Sequence, residues 1–125
     1  MTTQPAHLVL YVEDDPDYRE AVRAILEAGG FDVVEAATAE EGMRVFREVR
    51  PDIALVDMMM EEVDAGVNLV KELRVAGEDI PVFLLTSLGD ALVMTKDWTD
   101  LGLAGVLQKP VRAETLLALL RAKTG

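Results

Sequence analysis

Five short apolar runs punctuate the chain: Leu8–Val12, Phe31–Val34, Ile53–Val56, Pro81–Leu85 and Gly105–Leu107. They are brief and rich in β-branched or bulky residues, which predicts buried strands. The stretches between them carry apolar residues at helical spacing. In the first, Asp15 stands as an N-cap and Pro16 at the first helical position. Ala21, Val22, Ile25 and Leu26 then form one face before Gly29 and Gly30 stop the helix. Thr38-Ala-Glu-Glu41 reads as a capping box ahead of Met43, Val45, Phe46 and Val49, with Pro51 ending that helix. Val67–Ala76 places Leu69, Val70 and Leu73 on one side before Gly77, and Ala91–Leu101 and Arg112–Lys123 supply the last two helices. Trp98, Met94 and most of the Leu116–Leu120 run read as core, although four leucines in five positions wrap beyond one stripe and leave some apolar surface for a partner.

Strict alternation of strand and helix with short connections predicts the α/β class: a doubly wound parallel sheet with helices on both faces. Leu8–Val12, Ile53–Val56 and Val82–Leu85 are the most continuously apolar strands, so they belong at the centre, with the second and fifth at the edges. That is the order 2-1-3-4-5, in which ligands sit beyond the carboxyl ends of the strands where the first and third diverge.

Composition narrows the picture. A chain of 125 residues predicts a single domain, residues 1–125 with a core over about 7–123 and no output domain after it. Half the residues are apolar and the mean hydropathy is +0.20, too hydrophobic for a disordered chain. With no cysteine, disulfides, thiolate metal sites and thiol catalysis are excluded. A net charge of −11 repels phosphate backbones and anionic lipid, so neither nucleic acid nor membrane is an expected partner. The N-terminal apolar run is too short for a signal peptide or a membrane span, and the chain reads as cytoplasmic.

Polar residues that directly follow the strands form a pattern of their own. The first strand ends in Glu13, Asp14 and Asp15, the third in Asp57, the fourth in Thr86 and Ser87, and the fifth is followed by Lys109. In a parallel sheet all of these lie on one edge. Clustered carboxylates repel and raise one another's pKa unless a cation sits among them. Oxygen donors without sulfur or imidazole select a hard ion, Mg²⁺ above others. Asp57 is then placed to act as a carboxylate nucleophile toward phosphorus, with Thr86 donating a hydrogen bond to the transferred group and Lys109 neutralising its charge. Asp15, just before Pro16, reads as a helix cap rather than a ligand, and His7 as a surface residue beside the first strand.

VEDD at 12–15, ALVD at 54–57, LLTS at 84–87 and QKP at 108–110 together resemble the receiver domain of two-component response regulators, over essentially the whole chain. The resemblance implies a flavodoxin-like (βα)5 fold. It implies Asp57 as phosphoryl acceptor, and Glu13 and Asp14 as the acid pair that holds Mg²⁺ together with Asp57 and the main-chain oxygen of Met59. Thr86 and Lys109 become the switch residues, and a cis peptide is implied at Lys109-Pro110. The donor histidine belongs to a partner kinase or phosphotransfer protein. The output is a protein effector or a homodimer formed through the fourth helix, fifth strand and fifth helix. Such a chain is a signalling protein that catalyses its own phosphorylation and dephosphorylation rather than an enzyme with a separate substrate.

Several positions depart from the pattern. Glu61 stands where most receivers have proline, Ala65 separates Asp64 from Gly66, and Val106 replaces the usual aromatic. Met59 and Leu88 occupy the positions that flank the approach of hydrolytic water, which predicts a slowly decaying phosphoprotein, although Glu61 and Glu62 could orient water from the neighbouring loop. Among other readings, a flavodoxin-like cofactor binder needs a hydroxyl- and glycine-rich phosphate cradle where three acids stand. A haloacid-dehalogenase-type phosphatase needs an acid where Met59 stands. A degenerate receiver acting as a constitutive binding module is the remaining alternative.

Overall fold

The computed structural model describes residues 7–58, 65–75, 80–87 and 102–124. Its elements are β1 (Leu8–Val12), α1 (Pro16–Ala28), β2 (Asp32–Ala36), α2 (Ala39–Val49), β3 (Ile53–Asp57), α3 (Ala65–Val75), β4 (Val82–Thr86), β5 (Gly105–Gln108) and α4 (Ala113–Thr124). The strands pair in parallel in the order β2-β1-β3-β4-β5, as the apolar pattern predicts. The helix predicted over Ala91–Leu101 lies outside the described residues, as do Met59, Glu61, Glu62, Asp64, Leu88, Met94 and Trp98.

Local chemistry explains the boundaries. Asp15 caps α1 by accepting from the amides of Asp17 (3.0 Å) and Tyr18 (3.2 Å), and Pro16 occupies the first turn. At the other end Gly30 takes the left-handed conformation, φ 93°, that stops the helix. Thr38 accepts from the amide of Glu41 at 3.0 Å, while the Glu41 carboxylate reaches back to the amide of Ala37 at 3.2 Å, one residue earlier than the reciprocal bond of a regular capping box. Ahead of Pro51 it is Arg50 that leaves the helix in a left-handed turn, φ 49°, with its amide on the carbonyl of Phe46 at 3.1 Å.

Strand β2 begins and ends later than Phe31–Val34. The Phe31 amide closes the end of α1 on the carbonyl of Leu26 (3.0 Å) and its ring is buried in the core, so pairing starts at Asp32 and runs to Ala36. Glu35 is tolerated there because Arg19 and Arg23 of α1 pair with it. Helix α3 starts two residues before the expected Val67, and α4 is displaced by one residue from Arg112–Lys123.

Alternation along the central strands divides the core in two. Leu10, Val12, Ala54, Val56, Val82 and Leu84 pack with Met43 and Phe46 of α2 and Leu69, Val70 and Leu73 of α3. Val9, Tyr11, Ile53, Leu55, Phe83 and Leu85 pack with Val22 and Leu26 of α1 and Leu116 and Leu120 of α4. Burying each of the valine, leucine, isoleucine, phenylalanine and methionine side chains among them stabilises the fold by about 1.5–3 kcal/mol. Of the leucine run, Leu116 and Leu120 are buried and Leu119 is 36% exposed. Helices α1 and α4 are also joined at Gly29, whose carbonyl accepts from Arg121 at 3.0 Å and whose missing side chain leaves room for Leu117. The two-residue period places Asp57, the last residue of its strand, and Glu13 and Lys109, just beyond theirs, in phase with the residues facing α1 and α4.

Gly42 of α2 sets how closely that helix lies over β1. A Cβ there would stand 3.0 Å from Val12 Cγ2 and 3.2 Å from Leu69 Cδ2, both buried. Gly42→Ala gains roughly 1 kcal/mol of helix propensity, but overpacking costs about 1–3 kcal/mol. We expect a net loss that lowers the melting temperature by roughly 4 °C. A higher melting temperature would show that the core gives way at this point.

Candidate functional site

The site assembles where β1, β3, β4 and β5 end. The Glu13 amide extends the ladder by donating to the carbonyl of Ala36 at 3.0 Å, so its backbone is still fixed by the sheet. The side chain is fully buried. One carboxylate oxygen, Oε1, accepts from Lys109 Nζ (2.9 Å) and from the Tyr11 hydroxyl (3.3 Å), and the other faces the amide of Asp15 at 3.4 Å. The Glu13 carbonyl accepts from Arg19 Nη1 at 2.8 Å, and Arg19 Nε is itself on Glu35 at 2.8 Å. A link from α1 through the edge strand therefore holds the turn that carries Glu13 and Asp14.

Asp57 is the last residue of β3 and is 3% exposed. The next amide, of Met58, is tied to the carbonyl of Leu85 at 2.9 Å, which fixes the exit from the strand. Lys109 is tied likewise: its amide donates to the carbonyl of Thr86 at 2.7 Å, and its ammonium lies 3.3 Å from Asp57 Oδ2. The Lys109-Pro110 bond is cis, as expected. Lys109 Nζ also sits 4.5 Å from the centre of the Tyr18 ring. The Thr86 hydroxyl is buried without a hydrogen-bond partner among the described residues, and Ser87 beside it is exposed.

Glu13, Asp14 and Asp57 each offer an oxygen within 4.8 Å of the others. Asp14 is exposed and the other two are buried. Burial, then the carboxyl of Glu13 as hydrogen-bond partner and as like charge, pushes the Asp57 carboxyl up to about 8; Lys109 opposes this without reversing it. Burial works to lower the Lys109 ammonium, but Glu13 and Asp57 outweigh it and hold the lysine above its ordinary value. Burial, and then the Glu13 charge, raise the Tyr11 hydroxyl, so it remains a donor. These oxygens suit a small hard cation: they lack softer donors, and the one ammonium among them pairs with only two of the three acids.

The structure thus brings Glu13, Asp14, Asp57 and Lys109 together, with Thr86 at the same sheet edge. Met59 lies outside the described residues. Asp15 caps α1 rather than joining the cluster, as expected. His7 precedes β1, at the opposite end from Glu13, and lies 3.8 Å from Asp52. Tyr11, Tyr18, Arg19 and Glu35 were not singled out in the sequence, although Tyr11 is the one side chain with a polar tip in an otherwise aliphatic strand.

A sheet of this order carrying acids after β1 and β3 and a lysine after β5 defines a receiver-type signalling domain. The chain belongs to the response regulator receiver domain family, whose family model matches residues 9–121. It is 34% identical over 114 residues to the response regulator MprA of Mycolicibacterium vanbaalenii, covering 91% of this chain and 48% of that protein. The chain thus spans about half the length of the curated relatives it matches. Among solved structures, a response regulator receiver domain protein from Clostridium thermocellum superposes with a TM-score of 0.85 at 25% identity, covering 94% of this chain and 93% of that one. The signal receiver domain of a modulated diguanylate cyclase from Desulfovibrio desulfuricans G20 gives 0.82 at 34% identity, with 94% and 93% covered. Members of the family are signalling proteins of two-component systems. No helix among the described residues is long and apolar enough to cross a membrane.

The raised Asp57 carboxyl has a consequence for stability. Unfolded, the group loses its proton near 3.8; folded and metal-free, near 8. Between these values the folded chain binds the extra proton, so the stability of the metal-free protein falls as pH rises through the window. We expect Asp57→Asn to raise the melting temperature of metal-free protein by about 5 °C near pH 7.5, with a gain that shrinks toward about pH 5. An asparagine variant that melts below wild type at both values contradicts this.

Proposed function

We propose that this chain is a phosphoacceptor receiver in which Asp57 takes a phosphoryl group, with Mg²⁺, from the histidine of a partner kinase or phosphotransfer protein. The observation that carries the reading is the Lys109 ammonium 3.3 Å from buried Asp57, with oxygens of Glu13 and Asp14 within 4.8 Å of it. Glu13, Asp14 and Asp57, with the main-chain oxygen of Met59, would hold the ion, which when bound neutralises charge on the phosphoryl oxygens. An Asp57 carboxylate oxygen forms the bond to phosphorus as the bond from phosphorus to the donor's imidazole nitrogen breaks, and the donor leaves with that electron pair. Lys109 balances charge on the transferred group. The buried hydroxyl of Thr86, without a partner among the described residues, gains an acceptor in the new phosphoryl oxygens. The acids and Lys109, all in place, favour this reading over a degenerate, constitutive binding module.

The output in this reading is a changed protein-binding surface, read by an effector or a second copy of the chain through the 91–101 segment, β5 and α4, in the cytoplasm. Val106 and Leu119 line its described part. With Val106 in place of an aromatic, backbone rearrangement after Thr86 carries the signal rather than rotation of a ring.

Incubation with Mg²⁺ and acetyl phosphate, followed by intact-mass measurement, tests the assignment. We expect one phosphoryl adduct on wild type, none on Asp57→Ala, none in excess EDTA, and uptake slowed roughly tenfold or more in Lys109→Met. An adduct surviving on Asp57→Ala contradicts the acceptor, and full uptake in EDTA contradicts the metal. The adduct should also be long-lived, because neither Met59 nor Leu88 can hydrogen-bond an attacking water. Changing them together, Met59→Asn with Leu88→Glu, should speed its decay several-fold; an unchanged decay rules out apolar shielding as the cause.

A further inference from the structure

We infer that Tyr18 is a positioning residue for Lys109, with its ring face holding the ammonium over the site and its hydroxyl holding the loop behind it. The inference rests on the reading of Lys109 proposed above. Three observations carry it. Lys109 Nζ is 2.9 Å from Glu13 and 3.3 Å from Asp57, and Tyr18 presents its ring with the centroid 4.5 Å from the same nitrogen, well inside the roughly 6 Å over which a cation is drawn to an aromatic face. The Tyr18 hydroxyl accepts from the amide of Val111 at 3.1 Å, so one side chain grips both the end of the lysine and the backbone two residues beyond it. Tyr18 is itself set by the acid loop, since its amide is capped by Asp15 at 3.2 Å.

The arrangement answers a problem that the two carboxylates cannot solve. Lys109 is 22% exposed on a flexible stem, and its ammonium is bound to two acids that both change when the site is used: a cation offsets the charge of Glu13, and an Asp57 oxygen becomes bonded to phosphorus while the negative charge moves out onto the phosphoryl oxygens. At that stage the carboxylates hold it less strongly. The ring is neutral, so its attraction persists, and it offers no hydrogen-bond oxygen to compete with those on phosphorus. Tyr18 therefore keeps the ammonium beside Asp57 while the partners of the lysine change.

The test replaces Tyr18 in the full chain with phenylalanine and with mono-, di- and trifluorophenylalanine, which weaken the ring's hold on a cation while nearly preserving its shape. Uptake of phosphoryl from acetyl phosphate is timed at fixed Mg²⁺, with Asp57→Ala as the blank. We expect Tyr18→Phe to take up phosphoryl roughly two- to threefold more slowly than wild type, through the lost hold on Val111, and rates that fall further with each fluorine to roughly fivefold below the phenylalanine variant for the trifluoro ring. The trend should vanish in a Lys109→Met background. A flat series, or the same trend without Lys109, overturns the role of Tyr18 while a slow Lys109→Met leaves the acceptor reading standing. Uptake by Lys109→Met at the wild-type rate overturns the lysine's role, and the inference with it.

Discussion

Like charge confined at one edge of the sheet is the constraint on which the rest depends. Glu13, Asp14 and Asp57 converge because the strands that precede them are parallel neighbours, and two of the three carboxylates are buried. Lys109 is the only cation in contact with the buried pair among the described residues. The two guanidiniums of α1 beside β2 are committed elsewhere: Arg19 to Glu35 and the carbonyl of Glu13, Arg23 to Glu35. A single ammonium leaves the cluster short of positive charge, and the shortfall is met by a proton on Asp57 or by a cation from outside.

The fold keeps the acids from moving apart. Strands β1, β3 and β4 are buried on both faces, between α2 and α3 on one side and α1 and α4 on the other, and a shift of register by one residue would move every side chain into the opposite layer and misfit both halves of the core. Each residue of the site is then fastened by main chain just beyond the strand: Glu13 to Ala36, Met58 to Leu85 and Lys109 to Thr86. Repulsion among the carboxylates is therefore not relieved by movement, and is offset by a proton on Asp57 or, once that proton leaves, by a cation beside Lys109.

Most of this was legible before the fold. The central strands are runs of aliphatic residues whose burial on both faces admits one reading, and the residues that follow them are polar in a way that a buried sheet edge otherwise avoids. Asp15 and Pro16 announced the start of α1 because capping is local chemistry. The limits of β2 were harder, since Glu35 looks like a loop residue until two arginines from the next element are seen to pair with it. Arg50 in a left-handed turn carries no compositional mark, glycine being the usual occupant. Tyr18 was hidden for another reason: it meets Val111 across 93 residues of sequence, and neither helical period nor charge pattern shows which side chain of α1 reaches the loop after β5.

A cluster short of positive charge, whose buried Asp57 carboxyl is raised by burial and by Glu13, gives up a proton when a cation binds. Calorimetric titration of the metal-free chain with Mg²⁺ near pH 7, repeated in buffers of different ionisation enthalpy, counts the protons released on binding. The account predicts close to one proton released per ion by wild type and almost none by Asp57→Asn. Binding of Mg²⁺ without proton release by wild type would contradict it.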